Sequence, residues 1–210
     1  METNDPREFA PLKDCVSQTC ARLQRDYFSP FDTPAKHAAR GTLANFRRNI
    51  GVPLRANPLL LEEVLLELDP KLDPPKLGYS DTPTPTEIAA TTALQFFALH
   101  MQSATKPMHE PMQSFAEACG RLHATADSKS IKPRLDAMML ANSETNRLIH
   151  LRSIITLLRS KDLGFNYGWF ALDLERLQDP KQRPGVQLRW GRDIVRGAYY
   201  SSKKENVSES

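Results

Sequence analysis

In the stretch LRWGRDIVRGAYY, Arg189, Arg192 and Arg196 stand three and four residues apart, with Trp190, Tyr199 and Tyr200 around them. On an α-helix those spacings stack side chains on one face, so the three guanidiniums would share a stripe. A guanidinium is planar, permanently charged and shaped to grip phosphate oxygens. Three in line repel one another unless something anionic lies against them. Asp193, within reach of both Arg189 and Arg196, answers part of that charge and leaves the rest. The chemistry open to such a stripe is phosphate binding.

Similar sets recur along the chain. Lys36, Arg40 and Arg47, with adjacent Arg48, line one flank of a predicted helix, and Arg152 and Arg159 lie two turns apart with Thr156 on the same face. Lys132 and Arg134 fall in the first turn of theirs, where the helix macrodipole disfavours cations and an anion or an acidic neighbour is the natural compensation. Arg121 begins the basic part of the chain. Met1 to Gly120 carries 12 Lys and Arg against 15 Asp and Glu, whereas Arg121 to Tyr200 carries 14 against 8. A basic second half on a chain of net charge +3 points to a localised anion-binding face. Any one set is also what a solvated helix face with i,i+4 ion pairs presents. Their recurrence, with no other chemistry in sight, favours phosphate.

No motif supplies that other chemistry. There is no GxxxxGK[ST] loop, no GxGxxG after a strand, no HExxH and no Cys/His cluster. His37, His100, His109, His123 and His150 fall on separate predicted helices or loops and read as surface or packing residues. Glu62 and Glu63 stand on a solvated face, and the acids lack the clustering of a metal-dependent nuclease. Cys15, Cys20 and Cys119 are an odd, sparse set with poor zinc spacing; they fit small apolar packing residues in a reducing cytosol. The expectation is a protein that is not an enzyme and takes no cofactor and no metal.

The elements that must position these residues are helical. The chain has 210 residues, 40% hydrophobic and 25% charged, enough for a core. It shows no apolar run of about 18 residues and no secretory leader, so a cytoplasmic protein without a membrane span is expected. Thr33-Pro34 and Thr84-Pro85 with Glu87 are helix starts, Asn57-Pro58 another, and Gly51 and Asp69-Pro70 are stops. Ser130 opens a sixth helix, Asn166 caps the one over YGWFALDLERLQ, and Pro184 opens the last. SETNRLIHLRSIITLLRSK is apolar around most of its circumference and is expected to be buried on several sides. Asp69 to Thr86 holds five of the sixteen prolines and reads as an exposed loop with few buried contacts. No alternating strand pattern and no internal repeat is present. The fold class is all-α, two packed helical bundles in series. The divisions expected are an extension over 1–30, a first bundle over 31–125 containing the 69–86 loop, a junction near Thr125 to Ser130, a basic bundle over 128–202 and a flexible tail over 203–210. Trp169 and Trp190 share faces with aliphatics and are expected in the core.

HLRSIITLLRSKDLGFNYGWFALDLERLQDP followed by VQLRWGRDIVR resembles the C-terminal signature of the CasB family, the small subunit of the type I-E CRISPR Cascade complex. That signature is an arginine-bearing leucine-rich helix, a short turn into a Tyr-rich helix, a gap, and a Trp-x-x-Asp helix. Its parts here are His150 to Lys161, Phe165 to Leu174, and Leu188 to Arg196 with Trp190 and Asp193. TALQFFALHMQ, SIKPRLDAMMLAN and LANFRRNIG resemble upstream segments, so the likeness runs in order from Pro34 to Tyr200. Pro133, Leu135 and Asn49 depart from the pattern. The resemblance implies a non-catalytic subunit of a ribonucleoprotein, present as two copies head-to-tail. Its partners would be the backbone and large subunits, the crRNA, the target DNA and the displaced DNA strand. It also implies that Arg40, Arg47, Arg48, Arg121, Lys132, Arg134, Arg152, Arg159, Arg189, Arg192 and Arg196 contact nucleic-acid backbone and stabilise an R-loop. In RNA-guided recognition base pairing reads the sequence while protein cations hold the opened strands.

Two other classes stay open on the residues alone. A helix-turn-helix regulator would place the last helix in a major groove, though Gly191 and Gly197 interrupt it. A purely structural adaptor would pair the arginines with acidic protein neighbours.

Overall fold

The computed structural model describes residues 9–125, 131–141 and 143–208, with side chains as far as Ser201. The expected opening of a helix at Ser130, and the junction over 126–130, lie outside the described residues. Nine α-helices among the described residues form two compact units: Met1–Gln102 with Tyr167–Glu175, and Ser103–Asn166 with Arg176–Ser210. The fold is all-α, as expected. The one strand pair among the described residues is β1 (Phe9–Ala10) against β2 (Lys71–Leu72), parallel and two residues long on each side, too short to leave an alternating pattern in the sequence.

In the first unit, α4 (Pro85–His100) is the central element. Thr84 accepts from the backbone N–H of Glu87 while the Glu87 carboxylate accepts from that of Thr84, the expected capping box. Ala89, Ala90, Ala93, Leu94, Phe96, Phe97, Ala98 and Leu99 are all buried, together with the polar Thr91, Thr92, Gln95 and His100, so this helix needs cover on every side. That cover comes from α1 (Leu12–Tyr27), α2 (Pro34–Arg48) and α3 (Pro58–Glu67), and from the first part of α8 (Tyr167–Gln178). Tyr167 is wholly buried; its hydroxyl donates to the Phe96 carbonyl (3.3 Å) and lies 2.9 Å from His100 Nδ1. Gly51, with φ 83°, makes the turn after α2 that a side chain would resist.

Residues 1–30 were expected to be an extension. Cys15, Val16, Cys20 and Leu23 of α1 are instead buried to within 1%, which makes α1 part of the core. The three cysteines are free and buried; burial, with Asp73 nearby, pushes the Cys15 thiol up to about 12, so it stays protonated and inert. Asn57 precedes α3 without a side-chain capping bond, its amide donating to Asn49 Oδ1 instead (3.0 Å).

The proline-rich loop is more anchored than its composition implies. Leu72 is buried, the Thr19 hydroxyl accepts from Asp69 N (2.9 Å), and Gly78 N donates to Glu87 (2.9 Å). A 3-10 turn covers Pro74–Lys76. Pro74 to Lys76 and the tip from Tyr79 to Thr82 are exposed, with Tyr79 at 93%. Removing Tyr79 to Thr82 and closing the gap with glycine is therefore expected to change the unfolding free energy by less than about 0.5 kcal/mol, as at surface sites. Urea denaturation checks this, and a larger loss would mean that the tip carries packing.

The second unit holds α5 (Phe115–Ala124), α6 (Ile131–Leu140), α7 (Glu144–Ser160), the end of α8 and α9 (Arg183–Ser208). The expected boundary near Thr125 put α5 in the first bundle. It groups instead with α9, because backbone meets backbone at their crossing. The division is also not a plain series, since the chain returns to the first unit for Tyr167–Glu175. In α7, Leu151, Ile154, Ile155 and Leu158 are fully buried while Ile149 is 61% exposed. The helix buries one stripe rather than several sides, the i, i+3, i+4, i+7 spacing of a packed helix. Helix α9 continues to Ser208, through most of the expected tail; residues 209–210 lie outside the described residues.

Candidate nucleic-acid interface

Packing fixes the inner face of α9, where Val186, Trp190, Asp193, Ile194 and Gly197 are buried. Trp190 lies against Phe115 (ring centroids 5.2 Å apart), and Phe115 against Phe165 (5.2 Å). With that side held, helical geometry sends Leu188, Arg192, Val195, Arg196 and Tyr199 outward, all exposed, with Arg189 half-buried at the edge. The three arginines do share a stripe. Leu188, Val195 and Tyr199 run beside it at 63%, 70% and 56% exposure, an apolar component the spacing of charges did not reveal.

Asp193 turns inward. Its carboxylate accepts from the Ser114 hydroxyl (3.1 Å) and from Arg196 Nη1 (2.8 Å). Ser114 is the N-cap of α5, in a capping box with Glu117, so the buried carboxylate sits at the positive end of that helix. Arg196 Nη1 also lies 3.6 Å from Glu117 Oε1. Asp193 and Glu117 thus answer the charge of Arg196, which is tied into the α5–α9 packing, whereas the sequence offered Asp193 to Arg189 as well. Arg192 is exposed on the same stripe.

The other candidates are dispersed. Arg152 is exposed on the outward face of α7, with Thr156 donating to its carbonyl (2.8 Å), and Arg159 is half-buried. Lys132 pairs with Asp136 one turn on, the acidic neighbour that a cation in a first turn calls for. Arg134 and Arg121 are half-buried. The α2 set belongs to the first unit. There Arg40 lies over the Tyr27 ring (5.4 Å), Arg47 is half-buried, Arg48 is exposed, and Lys36 Nζ donates to the Ser29 carbonyl (2.8 Å). Trp190 is a core residue as expected, but Trp169 is 37% exposed with Lys13 over its ring (6.0 Å).

Among the described residues no group of three or more His, Cys, Asp or Glu could hold a metal ion, and no helix is long and apolar enough to cross a membrane. His109 is buried, which lowers its pKa to about 4, and keeps it neutral at ordinary pH. A cleft of about 400 Å³ between α2 and α3 is lined by Asn45, Glu63 and Glu67 among others. Its carboxylates bond to Asn45 and Arg22. Arg147 is buried at 5% exposure and Arg183 opens α9.

The family model described as CRISPR-associated protein Cse2 matches residues 42–194. The chain is similar in structure to CasB from Thermobifida fusca, with 25% identity and a TM-score of 0.64 over 88% of this chain and 97% of that one. It is similar in fold to a Cse2-family protein from Thermus thermophilus (22% identity, TM-score 0.57, 85% and 96% covered) and to CasB from M. ruber (20%, 0.56, 93% and 98%). No curated protein matches significantly. The matched span takes in α4 to α8 and, in α9, Trp190 and the buried Asp193, so the chain belongs to the CRISPR-associated Cse2 (CasB) family.

Proposed function

We propose that the chain is the non-catalytic small subunit of a type I-E Cascade complex and holds nucleic-acid backbone through outward arginines of its second unit, stabilising the R-loop. The observation that carries this reading is the outer face of α9, where Arg189, Arg192 and Arg196 share one stripe while Trp190 and Asp193 anchor the opposite side. Exposed arginines without a rigid base-reading frame suit phosphates, which position a strand and carry no sequence information. Arg152 of α7 and Arg48 of α2 are exposed and available for the same task. The complex's backbone and large subunits, the crRNA, both DNA strands and a second copy of the chain are the partners this role requires.

The exposed Leu188, Val195 and Tyr199 favour a second reading, an adaptor whose outer α9 face packs against a neighbouring subunit. A salt titration separates the two. Replacing Arg196 also strips Asp193 of a partner, so the informative variant is Arg189→Gln with Arg192→Gln. Its unfolding is expected to stay cooperative, while the slope of log affinity for duplex or R-loop DNA against log salt becomes shallower by about 1.5–2 units, the loss of two phosphate contacts. The effect should not depend on sequence. Unchanged DNA binding with failed assembly would establish the adaptor instead.

A further inference from the structure

Helix α3 is apolar on more sides than the fold covers. Of Leu59, Leu60, Leu61, Val64, Leu65 and Leu66, only Leu60 and Val64 are buried. Leu59 and Leu66, two turns apart on one face, are each 66% exposed. A helix that is hydrophobic all round belongs under cover, and anchors at i and i+7 are the spacing with which one helix packs on another.

The charges on that face have one sign. Glu62 and Glu63 stand exposed between the two leucines, Glu67 follows, and α3 carries no lysine or arginine. Beside them lies the cleft of about 400 Å³, walled by Glu63, Leu66 and Glu67 of α3 and floored by Gly41, Thr42 and Asn45 of α2. Asn45 donates to Glu63, and Arg22 Nη2 donates to Glu67 Oε1 (2.6 Å). Arg22 thus offsets Glu67, which leaves Glu62 and Glu63 as the charge a partner meets. Gly41 sits in the interior of α2, where glycine weakens a helix. A Cβ there would meet nothing within 4 Å. The fold itself therefore does not require the missing side chain, and the floor of the groove is open to an approaching backbone.

We propose that the groove between α2 and α3, with the outer face of α3, docks a cationic amphipathic helix of a partner protein. Aliphatic side chains of that helix cover Leu59 and Leu66, and its lysine or arginine meets Glu62 and Glu63, so that charge complementarity fixes the register. A second copy of the chain offers one such helix, α9, through Leu188, Arg192 and Val195, but that stripe is given to a nucleic-acid strand in the reading above. The commitment to another protein rests on that reading.

The full chain is titrated by anisotropy against a fluorescein-labelled helical peptide of lysine, leucine and alanine, and against the same peptide with glutamate for lysine. The wild type should bind the lysine peptide alone, and more weakly as salt rises. Glu62→Lys with Glu63→Lys should weaken that binding by about tenfold or more. Gly41→Leu, which fills the groove from an open position, should weaken it as much while melting no lower than the wild type. Binding that survives either variant, or equal binding of both peptides, overturns the docking face. Sedimentation and DNA titration of the same proteins decide the occupant. A monomeric wild type whose DNA affinity is unchanged in both variants supports a helix from another protein. Self-association of the wild type that both variants abolish would put α9 of a second copy there and overturn the proposal. Absence of DNA binding, with the peptide results as expected, would sink the nucleic-acid reading and leave the docking face standing.

Discussion

Trp190→Ala is expected to lower the unfolding free energy by about 3–5 kcal/mol, the cost of truncating a fully buried tryptophan. Trp190 is 1% exposed and packs on Phe115, which packs in turn on Phe165. The void would open where α5 and α9 meet and where the segment before α8 enters, so three parts of the second unit lose contacts together. Aromatic pairing adds to the area term. The comparison is Trp169→Ala: with Trp169 already 37% exposed, the loss should be smaller, about 1–2 kcal/mol. Urea denaturation of both variants gives the two values. Equal losses would show that Trp190 does not anchor this core.

Gly197→Ala should cost about 3 kcal/mol, the upper end of what overpacking does. A Cβ on Gly197 would stand 2.1 Å from the Glu117 carbonyl oxygen, and one on Gly120 would stand 2.1 Å from that of Ile194. The obstacle in each case is helix backbone, which cannot rotate aside as a side chain can. Either substitution must push α5 and α9 apart, strain the capping box at Ser114 and Glu117, and loosen the Asp193 cluster. Gly191, on the same helix, meets nothing within 4 Å; Gly191→Ala should stabilise by up to about 1 kcal/mol through helix propensity. Opposite signs from two glycines six positions apart would confirm the close crossing by denaturation alone. A Gly197→Ala protein as stable as the wild type would refute it.

Local chemistry made much of the helical layout legible. Thr33 and Thr84 cap as their residue types dictate, because a hydroxyl accepting from the first turn is satisfied within four residues. Trp190 read as core from the aliphatics on its face. Helix α1 was harder, because Cys15, Thr19 and Cys20 are small and weakly apolar, and only close packing makes them core. The glycine crossing was hidden for a related reason: Gly197 looks like a helix interruption until the helix it touches is known. In the candidate site, the shared face of Arg189, Arg192 and Arg196 followed from spacing alone. The tie of Arg196 to Glu117 depends on which helices meet, and short-range pattern carries no such information.

The return of Tyr167–Glu175 to the first unit bears on how the protein is made. Helix α4 emerges from the ribosome long before Tyr167, Phe170 and Leu174, the buried residues that complete its surroundings. At roughly 5–20 residues per second, that apolar helix waits on the order of ten seconds with part of its surface uncovered. His100 meanwhile lacks the Tyr167 hydroxyl that lies 2.9 Å from its ring in the finished protein. The nascent first unit is thus a client for any holding factor at the exit tunnel, and a polypeptide released before Tyr167 would expose Phe97, where the tyrosine ring belongs, and be a substrate for proteolysis.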